Sequence, residues 1–360
     1  MSERAGVGEI AMPPAEAAAS ADYEPPITDW TLRPFAASGS PWRVAPLLTL
    51  LLTALSQAVR ALIGQTHPAP FWRDPFLFLD LLNSVLVVYI PTALWLLRRG
   101  RLRDLRELRP HLREGISYAA QVDAVVRIPL RRLALCSLAA AVAFGVLPTI
   151  DRGFWEGPMP PLTHPFMIFF IIRMAITGWL GGRAIASEST SLTALSRIAA
   201  THTRVDLLDL RPFEIFARTG MRSALAWVLI SSLVSLFWLG PGAGTANGFI
   251  LGTILLAVAL GFYACIHGAH RAIAAARREA LGAVEARIAR AGASLMEGRA
   301  AAANEPRLAD LIAWHGFLER VREWPIGAPA LARGVLVAAL GLGSWLGGAL
   351  VDRAVDRWFG

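Results

Sequence analysis

Seven apolar runs, each about as long as a lipid bilayer is thick, constrain this chain more than anything else in it. They occupy 46–63, 76–97, 133–150, 165–186, 221–239, 246–266 and 331–351. A hydrocarbon core of about 30 Å takes roughly 20 helical residues to cross, and inside it every backbone amide must find its partner within its own segment. The expected fold is therefore all-α, a polytopic membrane helix bundle of six or seven transmembrane helices. The first run, interrupted by Gln57 and Arg60, and the glycine-rich last one decide between six and seven. Composition agrees: 55% of the residues are hydrophobic and 17% charged, with a mean hydropathy of +0.48, where a soluble domain is nearer to a quarter charged.

The positive charges orient the bundle. All 35 basic residues are arginine, a bias that a GC-rich genome explains as readily as selection does. Residues 98–132 hold ten arginines, 187–220 four and 267–329 nine, against one in 64–75, one in 151–164 and none in 240–245. Loops rich in arginine stay in the cytoplasm. The N-terminus is thus expected inside, in a bacterial inner (cytoplasmic) membrane. Residues 1–41, rich in Ala, Pro and acids and without a charged n-region before an apolar core, are expected to be a disordered cytoplasmic tail and not a cleavable signal. The net charge of +8 suggests anionic headgroups, not nucleic acid, as the partner, because the arginines cluster beside apolar runs and form no continuous face. Cys136 and Cys265 both sit inside apolar runs and read as buried free thiols.

Two spaced motifs recur. On the outer side stand Phe71-Trp72-x-x-Pro75, Phe154-Trp155-x-x-Pro158 and Phe237-Trp238-x-x-Pro241; on the inner side stand Leu32-Arg33-Pro34, Leu108-Arg109-Pro110 and Leu210-Arg211-Pro212. An aromatic belt with helix-ending prolines explains the residue types. The shared spacing suggests three tandem helix hairpins over 42–266, related about an axis along the membrane normal. Trp345-Leu346-Gly347-Gly348 echoes Trp179-Leu180-Gly181-Gly182, small residues that let helices pack closely.

Between the sixth and seventh runs, 267–329 reads as a cytoplasmic helical hairpin. Leu281, Val284, Ile288, Ala291 and Leu295 form a heptad-like seam on a helix over 267–298. A second helix over 306–323, capped by Asn304 with Pro306 in its first turn, carries Leu308, Leu311, Ile312, His315 and Leu318 on one face. Two short helices with an exposed seam call for a partner helix or self-association at 267–323. Residues 330–360 hold the last run and a short tail.

Asp80, Asn83 and Arg173 are the polar groups placed deepest. A charge there is costly unless paired or wetted. Two readings follow: an interhelical ion pair of Arg173 with Asp80 and Asn83 as a further acceptor, or a lined pathway in which Arg173 attracts an anion or Asp80 relays a proton. Arg60 is expected to snorkel to the outer surface. Cys265, His267 and His270 are weak ligand candidates, since no second cluster supplies the remaining ligands and no metal site is expected. The hydroxyls at Ser187, Ser189, Thr190, Ser191, Thr193 and Ser196, and at Ser231, Ser232 and Ser235, are expected to bond to nearby backbone. No nucleophile–base arrangement, phosphate loop or Gly-x-Gly-x-x-Gly occurs, so neither an enzyme nor a cofactor is expected.

Gly268-x-His270-Arg271-x-Ile273, Arg322-Glu323-Trp324-Pro325-Ile326 and Gly343-Ser344-Trp345-Leu346-Gly347-Gly348-Ala349-Leu350-Val351 resemble segments of a group of uncharacterised bacterial inner-membrane proteins. The resemblance implies the same spans, cytoplasmic hairpin and final span, and no activity or site. Two functions fit: a channel- or transporter-like conduit for a small ion or solute, or a membrane-anchored scaffold or signalling protein presenting 267–329 to a partner.

Overall fold

A computed structural model describes residues 23–64, 75–150, 161–236, 245–296 and 307–325. They form helices α1 (Arg33–Ser38), α2 (Pro41–Leu62), α3 (Pro75–Leu108), α4 (Tyr118–Val126), α5 (Leu130–Ile150), α6 (Pro165–Arg197), α7 (Arg211–Leu236), α8 (Thr245–Met296) and α9 (Leu308–Arg320). Among the described residues the only β pairing is two isolated bridges. Among the described residues four stretches are long and apolar enough to cross a membrane: Pro41–Leu62, Leu77–His111, Tyr118–Val146 and Pro165–His202. They overlap the first four expected runs, and only the fourth is contained whole. The fifth run falls in α7 as far as Leu236, and the sixth falls in α8. The seventh, 331–351, lies outside the described residues, as do the connections 65–74, 151–160 and 237–244 with all three Phe-Trp pairs.

The long helices pack most extensively as pairs adjacent in sequence: α2 on α3, α5 on α6, α7 on α8; the short α4 packs chiefly on α6. The tightest of these pairs depends on glycine. A Cβ at Gly178 would run into the carbonyl of Ala140, and one at Gly182 into that of Cys136, so two glycines four residues apart bring the α5 and α6 backbones together. Gly181, between them in sequence, faces open space.

The helices outlast their apolar runs. α3 continues to Leu108 and α6 to Arg197, well into stretches whose arginines mark the loops of the bundle. A helix crossing a bilayer has no reason to stop at its surface when the next turns still bury leucine, and these do. At this basic end Leu102, Leu105 and Leu108 of α3, Val122 and Val125 of α4, Leu195 of α6, Phe213 and Phe216 of α7 and Ile273 of α8 form one buried core. A π turn over Ile198–His202 ends α6, and the strand-like pairing of Leu112 with Thr203 ties the two connections together. A second core, nearer mid-bundle, joins Leu86, Val88, Ile90 and Leu94 of α3 to Leu180, Ile230 and Val234.

The three Leu-Arg-Pro triplets share a local role, not an equivalent place. In each the proline falls in the first turn of a helical segment: Pro34 in α1, Pro110 in the 3-10 turn after α3, Pro212 in α7. There its missing N–H costs nothing. Yet the first precedes its outgoing helix by a turn, the second by all of α4, and the third begins it.

The N-terminal expectation needs correction. Residues 23–41 are not a disordered tail but a strap that runs from the basic end to the mid-bundle core. Leu32 and Phe35 are buried in the mid-bundle core. Tyr23 donates to Asp123 at 2.8 Å, and Arg98 to the Pro25 carbonyl at 2.5 Å. Alternation of alanine, proline and acid hid the strap, because its anchors are two apolar residues and a handful of polar contacts. Gly39, at φ 65°, then turns the chain into α2.

Beyond the sixth run α8 continues to Met296, and α9 lies against it. Arg277 donates to the carbonyls of Leu318 and Glu319, at 2.8 and 2.7 Å, and pairs with Glu323 at 2.5 Å. Val284, Leu311 and Leu318 are buried, whereas Ile312, expected on the same face, is 55% exposed. α9 begins at Leu308 behind Arg307, not at 306; Asn304 and Pro306 lie outside the described residues.

Candidate functional site

Buried charge gathers at two levels of the bundle. The first is towards the far end. Three helices each bring two polar groups one turn apart on a single face: Gln57 and Arg60 on α2, Asp80 and Asn83 on α3, Arg173 and Thr177 on α6. Asp80, 2% exposed, is their centre. Its carboxylate pairs with Arg173 through one oxygen and with Arg60, at 3.3 Å, through the other, which also accepts from Gln57 at 2.7 Å. Arg173 reaches Asn83 Oδ1 at 3.4 Å, and Asn83 donates to Thr177 Oγ1 at 2.9 Å. The Arg173 guanidinium also lies over the Phe169 ring at 5.3 Å. Arg60 therefore does not snorkel: it is 3% exposed and turned inward. Its acceptor, Asp80, lies on the neighbouring α3, within reach without extending toward a surface.

The second level is about 30 Å further along α3, 21 residues at 1.5 Å each. Arg101 pairs with Glu188 of α6, both sealed from solvent, and donates to Ser191 at 3.0 Å. Ser191 in turn donates to the Val125 carbonyl at 2.7 Å. The other Glu188 oxygen accepts from Ser223 of α7. One turn on, Asp104, 1% exposed, accepts from Thr219 and Arg222 and pairs with Arg218 at 2.9 Å. Arg218 also meets Glu107. Gly100 makes this possible, since a Cβ there would occupy the place of the Arg222 guanidinium. Three arginines thus meet three carboxylates across α3, α6 and α7. The sequence marks Ser191 as a hydroxyl but none of the charged groups of this level as a buried site, because its acids and arginines stand among many other polar residues past the ends of the apolar runs.

At the level where the apolar runs of α3 and α6 end, Arg183 of α6 pairs with Asp29 of the strap at 2.8 Å. The Trp30 and Trp179 rings stack at 5.9 Å, and Arg183 lies over Trp179 at 4.7 Å.

The weak ligand candidates do not converge. Cys265 is buried and donates to the Phe216 carbonyl at 3.3 Å, toward α7. His267 stacks on Tyr263, while His270 stacks on Trp324 at 4.3 Å and bonds the Glu323 carbonyl at 3.2 Å. Among the described residues no group of three or more His, Cys, Asp or Glu is placed to hold a metal ion. Ser189, Thr190 and Thr193 bond carbonyls one turn back on α6, as expected, whereas Ser191 bonds across to α4. What the two charge levels do chemically is hold helices together. In each, a carboxylate is met by guanidinium and by an uncharged donor, so that its buried oxygens find partners within the protein. No family model matches the chain, and neither a curated protein nor a solved structure matches it.

Proposed function

We propose that the chain is a multi-pass protein of a bacterial-type inner membrane, N-terminus and basic end in the cytoplasm, working as a scaffold or signalling platform. In this reading three helix hairpins anchor the extension of α8, which turns back as α9 and presents it to a partner helix or to a second copy of the chain. One contrast carries the reading. The deep charges at both levels are engaged with one another, whereas α9, outside the spans, leaves Ile312, Trp314 and Phe317 at 55%, 36% and 40% exposure. Two of them are stacked rings, 5.0 Å apart. Aromatic side chains clustered on a water-facing helix are the usual anchors of a protein interface. A photo-crosslinking residue at Phe317 tests it in intact cells. The expected result is one discrete adduct that Trp314→Glu abolishes; a chain that stays uncrosslinked overturns the reading.

A second reading, a conduit for a small ion or solute, draws on the buried polar groups that α3 and α6 carry at both levels. Ion flux into liposomes, with and without Arg173→Ala, tests it. Flux no greater than in empty vesicles removes it. Flux that survives deletion of 270–323 and falls with Arg173→Ala places conduction in the spans and displaces the scaffold.

A further inference from the structure

We propose that Arg98 and Arg183 form a seat for the phosphate of an anionic phospholipid headgroup, and that residues 24–29 fill it as a built-in competitor. The proposal rests on the chain crossing a bilayer, and not on what α9 binds. Arg98 follows the apolar run of α3 directly, and Arg183 stands near the end of that of α6. Trp30 and Trp179 stack at the same level, and Trp95 lies under the Arg99 guanidinium at 5.4 Å. Tryptophan and arginine gathered where apolar runs end mark the headgroup level.

The strap supplies acceptors where phosphate oxygens would otherwise sit. Asp29 Oδ1 takes the Arg183 Nη2 bond at 2.8 Å. The Pro25 carbonyl takes that of Arg98 at 2.5 Å, and Glu24 stands 3.9 Å from the exposed Arg106. The substitution is incomplete: three guanidiniums meet two carboxylates, Arg98 donates to a neutral carbonyl, and Arg183 Nε, buried with a residue only 9% exposed, has no acceptor. Guanidinium binds phosphate through paired N–H groups, so a headgroup satisfies both arginines better than the strap does. Asp29 is also held by its own turn, accepting from Thr31 N at 3.0 Å and Thr31 Oγ1 at 2.6 Å. It therefore has somewhere to go when Arg183 changes partner. The deeper anchors, Leu32 and Phe35, stay in place while 24–29 lifts.

The test uses the full chain in nanodiscs of phosphatidylcholine alone or with phosphatidylglycerol. Retention in the membrane fraction after alkaline carbonate comes first, so that failure to span is distinguishable from failure of the seat. Ile27→Cys, half-buried beside the mid-bundle core, is labelled with a water-soluble maleimide, and bound phosphatidylglycerol is counted by native mass spectrometry. Labelling is expected to be several-fold faster with phosphatidylglycerol. Asp29→Asn should make it fast in both lipids and raise lipid retention; Arg183→Gln should remove the lipid dependence and lower retention. Equal labelling in the two lipids overturns the proposal, as does retention that Arg183→Gln leaves unchanged. Inorganic phosphate speeding labelling in phosphatidylcholine to the same extent assigns the seat to a free anion and overturns the lipid.

Discussion

The two levels of buried charge solve one problem in opposite ways. Around Asp80 the arrangement is a hub: a single carboxylate serves Arg60, Arg173 and Gln57 from two other helices. At the basic end it is a chain, in which Glu188 and Asp104 each have their own arginine and their own hydroxyl, spread over α3, α6 and α7. A hub concentrates dependence on its centre and makes each spoke replaceable. A chain distributes dependence, so that loss of one member leaves the next intact. The difference suits the surroundings. Far from the basic end, polar partners are few and must be shared, whereas beside the arginine-rich turns they are plentiful.

The largest effect is therefore expected at the hub. Asp80→Ala takes the shared carboxylate away from two largely buried guanidiniums, and breaking a buried pair in this way costs about 3–5 kcal/mol. Reversible unfolding in mixed micelles, followed by circular dichroism, measures it. Glu188→Gln should come next, toward about 3 kcal/mol, since it takes the carboxylate from Arg101 and leaves it Ser191, while Asp104 keeps its partners. Replacing both members, Arg101→Met with Glu188→Leu, should recover most of that loss, because it removes the unpaired charge along with the pair. Arg173→Gln is the spoke test: Asp80 keeps Arg60 and Gln57, so a smaller loss is expected, about 1–3 kcal/mol, of the order of one charged hydrogen bond. A loss for Arg173→Gln equal to that for Asp80→Ala breaks the hub description.

The same contrast explains what could be read from the sequence. Asp80, Asn83 and Arg173 stand out because each is a polar residue inside an apolar run, where a charge needs a reason. Their convergence on one point follows once α2, α3 and α6 pack side by side. Arg101, Asp104 and Glu188 do not stand out. They follow the apolar runs, in stretches where charge is ordinary, and only the continuation of α3 to Leu108 and α6 to Arg197 turns them inward. Length was the missing signal: a span estimated from bilayer thickness ends where hydrocarbon ends, while a helix ends where its own burial does. The leucines at 102, 105 and 108 repeat at three-residue intervals and bury one face, a periodicity that could have extended α3. The strap left a weaker trace, Leu32 and Phe35 three residues apart among alanine and proline. Arg60 was misplaced because snorkelling considers one residue at a time, and its acceptor lies on another helix.

A surface pair gives the baseline against which both levels are to be judged. Asp209 opens α7 from outside the bundle, and Arg211 bonds it twice through its guanidinium at 2.8 Å and once through its backbone N–H at 3.1 Å. The Arg211 side chain, then its backbone N–H, holds the carboxyl down to about 2. A carboxyl depressed by folding stabilises the native state above its ordinary value of 3.8, and that contribution fades as pH falls from there to about 2. Asp209→Asn should consequently lower the melting temperature slightly at pH 6, with the gap to the parent closing over that acid window and shrinking in high salt. The effect is expected to be the smallest of the four single substitutions, since this pair lies at the surface. A shift at Asp209 as large as that at Glu188 would mean that burial adds nothing to the worth of an ion pair here, and the distinction between sealed and solvated charge would fall with it.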